Sequence, residues 1–309
     1  MTAIQEAKLT RNGHDRHSAT RDIPVRRLDV DMENADLPRW IVDEDPIFSN
    51  LLAVLSAVFP RGEDFFVATV RANKDVVGDD EVLKAQVKAF IGQEAMHGRE
   101  HRRINKSLDS IGYHTTRAEA SIDKVLNAVF KIKPKTLPLA VTAAAEHLTG
   151  LFAESALGSK MTRDTLFNVP DVQSLITWHA LEELEHKNVA FDVLAKTESG
   201  YVIRMGGFVI TLVFLGGCVV VETVRGVWDD RAELNLKRYR THLRNLRHQT
   251  LLSPWAVRQL FKYVRPGFHP DDIETNYMIE EWRTVLADRT TITAGAGKTR
   301  PKPEAGTAG

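Results

Sequence analysis

At 309 residues the chain is long enough to bury a sizeable core, as one large domain or one domain with appendages. Its 41 basic and 41 acidic residues cancel, which argues against nucleic-acid binding by bulk charge. The single cysteine, Cys218, leaves no internal disulfide and no cysteine-based zinc or iron–sulfur site, and it suits a reducing compartment.

Residues 1–36 lack periodic hydrophobicity and are expected to form a flexible N-terminal arm. The first stretch is polar, with Lys8, Arg11 and Arg16 and no apolar run, so it does not read as a signal peptide. A cytoplasmic location is expected. Over residues 37–200 the apolar period is helical, and no alternating run flanked by hairpin signals stands out. A first helix is expected over about 45–73, interrupted or bent at Pro60-Arg61-Gly62. A second, about 79–111, opens on Asp79 or Asp80 as cap and ends at Gly112. A third region, about 118–158, breaks near Pro134 and Pro138. The fourth, about 170–196, starts with Pro170 at a first-turn position. Four long helices with short connections predict an all-α four-helix bundle.

Residues 205–221 carry no charge and, at 17 residues, lie at the lower edge of membrane-spanning length. Arg225, Arg231, Lys237, Arg238, Arg240, Arg244 and Arg247 follow, a basic flank that suits an anionic membrane surface. Residues 201–225 are therefore expected to form an apolar helix associated with the inner face of the cytoplasmic membrane. Burial against the bundle, eased by Gly206-Gly207 and Gly216-Gly217, is the alternative. Residues 226–289 read as a C-terminal helical extension with a rigid turn at Pro266-Gly267 and His269-Pro270, and 290–309 as a disordered tail. His269, a loop histidine beside prolines, is expected to be structural.

The chemistry rests on glutamates and histidines. Glu94-x-x-His97 and Glu183-x-x-His186 each project a carboxylate and an imidazole from one helix face, about 60° apart around the axis. Single glutamates, Glu63 and Glu146, stand on the other two helices. One glutamate, an ExxH pair, one glutamate and a second ExxH pair form the ligand order of ferritin-like di-iron and di-manganese carboxylate bundles. Four carboxylates and two imidazoles can hold two divalent ions and leave positions open for water, oxygen or substrate. Shared ions also make four buried carboxylates tolerable. Two metal ions are expected, iron ahead of manganese or zinc. His101, His147 and His179 read as orienting partners or alternative ligands. Glu182 competes with Glu183, because it lies four residues before His186; the regular spacing favours Glu183. Glu185 points elsewhere and is expected to be solvated. Gly150, four residues after Glu146, leaves room for a ligand or a close helix contact.

The segments Phe59-Pro-Arg-Gly-Glu63-Asp-Phe-Phe66, Gln93-Glu94-Ala-Met-His97-Gly-Arg-Glu-His101, Ala144-Ala-Glu146-His147 and Trp178-His-Ala-Leu-Glu182-Glu183-Leu-Glu-His186-Lys-Asn-Val-Ala-Phe-Asp192 resemble a bacterial family catalogued as predicted metal-dependent hydrolases. Arg265-Pro-Gly-Phe-His-Pro270 resembles it too, so the likeness spans about 36–282. The resemblance implies metal-dependent hydrolysis. The ligand order argues for other chemistry, in which two irons reduce dioxygen and oxidise a hydrophobic or lipid-like substrate, with an electron donor that the sequence does not name. Phe65, Phe66, Phe90, Leu148 and Phe152 would keep such an oxidant dry. With no separate nucleophile or oxyanion donor evident, a di-iron oxidoreductase is the first expectation. A hydrolase of an ester or phosphoester is the second, and a non-enzymatic metal-binding protein the third.

Overall fold

Asp45 starts the first long helix, α1 (Pro46–Ala72), by accepting the N–H groups of Ile47 and Phe48, each at 3.0 Å, with Pro46 in the first turn. The structure is a computed structural model and describes residues 22–246 and 253–293. α1 runs unbroken through Pro60, contrary to the expected interruption. Proline removes the N–H that would bond the Ser56 carbonyl four residues earlier. Asn105 Nδ2 donates to that carbonyl instead, at 3.2 Å, so the helix continues with its acceptor satisfied.

α2 (Glu81–Ser110) is capped by Asp80, which accepts from the Leu83 N–H at 3.0 Å. The chain turns away at Gly112, whose φ of +102° suits glycine. The third helical region divides at its prolines into α3 (Thr115–Phe130) and α4 (Thr136–Gly158). After α5 (Lys160–Leu166), α6 (Pro170–His186) stops at Lys187-Asn188 before α7 (Val189–Lys196). That break was not anticipated. Then come α8 (Gly200–Asp229), α9 (Leu236–Asn245), α10 (Pro254–Lys262) and α11 (Asn276–Val285). The expected all-α bundle is present, with α1, α2, α4 and α6 at its centre. Phe90 from one apolar cluster packs on His186, and Trp178 from another on His97, with ring centroids 4.9 and 5.0 Å apart.

Residues 22–36 are not an arm. Ile23, Leu28 and Met32 are buried, and β1 (Arg26–Leu28) pairs antiparallel with β2 (Thr290–Ile292), Arg26 opposite Ile292. β2 likewise takes 290–292 out of the expected tail. A three-residue strand is too short for a periodic signal, and its partner lies at the other end of the chain. Residues 1–21 and 294–309, and Arg247 of the basic flank, lie outside the described residues.

By length and composition alone, α8 is long and apolar enough to cross a membrane. One face docks on the bundle. Thr211 Oγ1 donates to the carbonyls of Gly207 at 2.9 Å and Val141 at 3.1 Å, where the helix widens into a π turn over Thr211–Leu215. A Cβ on Gly207 would fall 2.4 Å from the carbonyl carbon of Ala140, so glycine permits this approach. The other face exposes Val209, Val213, Phe214, Val220, Val224 and Trp228.

Gly207→Ala is expected to lower stability by about 2 kcal/mol in urea unfolding, because backbone must move to admit the methyl. Gly217→Ala, where a Cβ meets nothing within 4 Å, should be neutral or stabilising by up to about 1 kcal/mol.

Candidate metal centre

Six carboxylates and four imidazoles are buried between α1, α2, α4 and α6. Glu63, Glu94, His97, His101, Glu146, His179, Glu182, Glu183, Glu185 and His186 are all nearly or wholly inaccessible. The six residues expected as ligands converge. His186 Nε2 lies 3.0 Å from Glu94, 3.5 Å from Glu146 and 3.7 Å from Glu183. His97 Nδ1 lies 3.9 Å from Glu183 Oε1. Three overlapping trios have donor atoms close enough to share an ion: Glu63, His97 and His179; Glu94, His97 and Glu183; Glu94, Glu146 and His186.

The donor atoms fit cations. Both carboxylate oxygens of Glu63, Glu94 and Glu146, together with His97 Nδ1 and His186 Nε2, are buried without a hydrogen-bond partner. Buried polar atoms are seldom left so, and here they all face one another. Carboxylate and imidazole donors of this kind suit iron, manganese or zinc.

The outer partners orient both imidazoles. Gln93 Nε2 donates to the Pro24 carbonyl at 3.0 Å and to Glu185 at 2.9 Å, so its Oε1 faces His186 Nδ1, 2.8 Å away. His186 therefore carries a proton on Nδ1 and turns Nε2 inward. His97 Nε2 stands 3.0 Å from Glu182 Oε2, leaving Nδ1 inward. A carboxylate behind a histidine is a usual arrangement around metals. It also separates the two competing glutamates. Glu182 serves His97 and Arg26 from outside, whereas Glu183 reaches the inner cluster, held by the Thr149 hydroxyl.

Several of these residues carry no local signal. Arg26 binds Glu185 through two bonds of 2.7 and 2.8 Å and Glu182 at 3.3 Å, and Arg283 Nε donates to Glu185 at 2.7 Å. Glu185 is thus buried and ion-paired, not solvated as expected, because two distant arginines reach it. Gly98 leaves space that Glu63 occupies, since a Cβ there would lie 2.8 Å from Glu63 Oε2. His147 donates to the Gln259 carbonyl at 3.2 Å and packs on Tyr263, so it serves the C-terminal extension rather than a carboxylate. Burial depresses His147 to a pKa of about 4, which fits a neutral donor. His269, as expected, is structural: it caps its own turn and pairs with Asp192 at 2.8 Å. Gly150 borders a cavity of about 20 Å³ that also touches Glu146, Glu154 and Lys187.

Burial and the neighbouring carboxylates hold Glu63 and Glu146 well above the usual carboxylate range, and burial raises Glu94. Burial, with Glu185 beside it, pushes Glu182 up to about 8 against the pull of Arg26. Burial also acts on Glu183, but His179 and His186 outweigh it and hold it low. For His186, burial is outweighed by Glu146, Glu183 and Glu94, which hold it well above its ordinary value. His97 and His101 are depressed by burial and by the neighbouring His179.

A model of a protein family described as "Predicted metal-dependent hydrolase" matches residues 24–274. Neither the curated proteins nor the solved structures contain a significant match to the chain.

These shifts set the pH response of the metal-free protein. A carboxyl raised above its ordinary 4.5, or a histidine raised above 6.5, adds stability at low pH that is lost as pH rises through the raised value. The lowered His97 and His101 act oppositely, but only below about 6.5. From pH 6.5 to 8.5 the chelator-treated protein should therefore lose stability. A divalent ion must displace the same protons, so its stabilisation should grow over that range. Calorimetric melting with and without zinc checks both signs.

Proposed function

Because the chain belongs to the predicted metal-dependent hydrolase family, we propose that it hydrolyses an ester or phosphoester with an apolar part, at a dinuclear metal centre. This membership overturns the expectation of a dioxygen-using di-iron oxidoreductase. The ligand order reports how ions would be held, not which bond is broken, so it could not decide between the two reactions. Hydrolysis needs neither a change of oxidation state nor an electron donor.

The observation that carries the proposal is the inward convergence of unpartnered buried donor atoms. Glu63, Glu94, His97, Glu146, Glu183 and His186 are the proposed ligands. Divalent ions held there would polarise a carbonyl or phosphoryl oxygen and acidify water. The protein's part is to orient and to exclude. Gln93 and Glu182 fix the two imidazoles, and Thr149 fixes Glu183. The cavity of about 20 Å³ beside Glu146 is the size of one water and has polar walls at Glu154 and Lys187. On the other side, a cavity of about 10 Å³ touches Glu183 and His179, and another of about 30 Å³ adjoins it. They share Phe59, Phe152 and Ile176, so the side of the centre next to Glu183 and His179 is apolar, in keeping with a substrate that has an apolar part.

Protein loaded with zinc, manganese or iron is expected to hydrolyse p-nitrophenyl esters or bis(p-nitrophenyl) phosphate, and a chelator should abolish the activity. Glu94→Ala and His186→Ala should each reduce bound metal and lower the rate by roughly 100-fold or more. Loaded protein inert toward both substrate classes would sink the reading.

We also propose that α8 lies on an anionic membrane surface. Its outer face is apolar over much of its length, its inner face is committed to the bundle, and α9, which follows it in the chain, carries Lys237, Arg238, Arg240 and Arg244. The protein should co-sediment with vesicles containing phosphatidylserine, and Val213→Asp with Phe214→Asp should weaken this at least about tenfold. Wild-type protein that stays in the supernatant would exclude the surface role.

A further inference from the structure

The donors and acceptors around His101 and His179 can be followed in one direction. Asn105 Nδ2 donates to the Ser56 carbonyl at 3.2 Å, the acceptor that Pro60 leaves open. Asn105 Oδ1 therefore faces the Ser56 hydroxyl and accepts its proton at 2.7 Å. Having given that proton away, Ser56 Oγ can only accept from His101 Nδ1, 2.9 Å distant. A neutral His101 then presents a lone pair on Nε2, which accepts from His179 Nδ1 at 2.8 Å. His179 is left with its own lone pair on Nε2. That atom points at Glu183 Oε1, 2.9 Å away, and Glu63 Oε1, 3.8 Å away.

Three acceptors meeting there repel one another unless a proton or a metal cation lies among them, and a metal ion relieves all three at once. Reversing the chain so that His179 Nε2–H donates to Glu183 does not solve this. Ser56 would have to donate to His101, and its oxygen would then oppose Asn105 Oδ1 at 2.7 Å, an acceptor against an acceptor in the core. His179 also stacks on His97, with ring centroids 4.0 Å apart. Glu63, His97 and His179 place donor atoms close enough to share one ion.

We infer that His179 is a third histidine ligand, coordinating through Nε2 the ion shared with Glu63 and His97, its tautomer set by Asn105, Ser56 and His101. The two metal positions are then unlike. One has two histidines, with Glu63 as its own carboxylate; the other has His186 alone, with Glu146. The inference rests on the proposed two-metal reading of this centre but not on the reaction it performs.

The test reads ligation, using protein reconstituted with cobalt(II). Each ligating histidine keeps its second N–H, buried against Glu182, Gln93 or His101, and cobalt shifts that proton far downfield. Proton NMR in water should show three such exchangeable resonances in the wild type, and two in His179→Gln. That variant should weaken one of the two cobalt equivalents by at least about tenfold while sparing the other. Two resonances in the wild type, or a His179→Gln protein that keeps three, would overturn the assignment. The wild-type count needs no variant to fold. Loaded protein that shows three resonances but hydrolyses nothing would refute the functional reading and leave this one standing; protein that takes up no cobalt would refute both.

Discussion

Six carboxylates are packed where water cannot reach, and their mutual repulsion is the constraint on which this molecule turns. The protein handles a third of it with its own charges. Glu185 and Glu182, on the outer side, are bound by Arg26 and Arg283. Among the described residues the inner four have no arginine or lysine within ion-pair distance, only histidines and the Thr149 hydroxyl, and Arg102 acts on Glu63 from farther off. An unneutralised carboxylate in such a place is costly, so without ions these groups must hold protons or lose stability. Cations held there would relieve the inner ring as the arginines relieve the outer one.

Local departures from regular helix serve that arrangement. Pro60 would ordinarily break a helix; here its missing N–H turns Asn105 toward Ser56, which in turn sets His101 and His179. Gly98, beside His97, gives Glu63 the space to face inward. The stop after His186 ends α6 directly beyond its last inner donor, so α7 can leave in another direction. The scaffold and the centre are thus one set of contacts, and few residues around the glutamates belong to only one of them.

Much of this could be read in the residues themselves. Asp45 and Asp80 announce their helices by capping, and the two ExxH spacings with Glu63 and Glu146 name the inner cluster, because three residues along a helix keep side chains on one face. The rest is tertiary. Glu182 and Glu183 both lie near His186 on the helix surface, and only the position of His97 and Arg26 separates their roles. Gln93, Arg283 and Asn105 are ordinary polar residues until the fold brings them to Glu185, His186 and Ser56. The reaction is not legible in the ligand order for a related reason: carboxylate and imidazole donors accommodate several metals and more than one kind of bond cleavage.

The clasp between β1 and β2 has a consequence for how the protein comes into being. Every inner donor has been synthesised by His186, yet Arg26 is held in place by a strand pairing whose contacts join residues as far as 268 apart. Closing so long a loop carries an entropic cost, though one that grows slowly with length, and contacts of such separation tend to form late. The helices can therefore gather their glutamates around ions while the outer side still lies open to solvent. Pairing of 26–28 with 290–292 would then bring Arg26 and Arg283 onto Glu185 and cover the outer side.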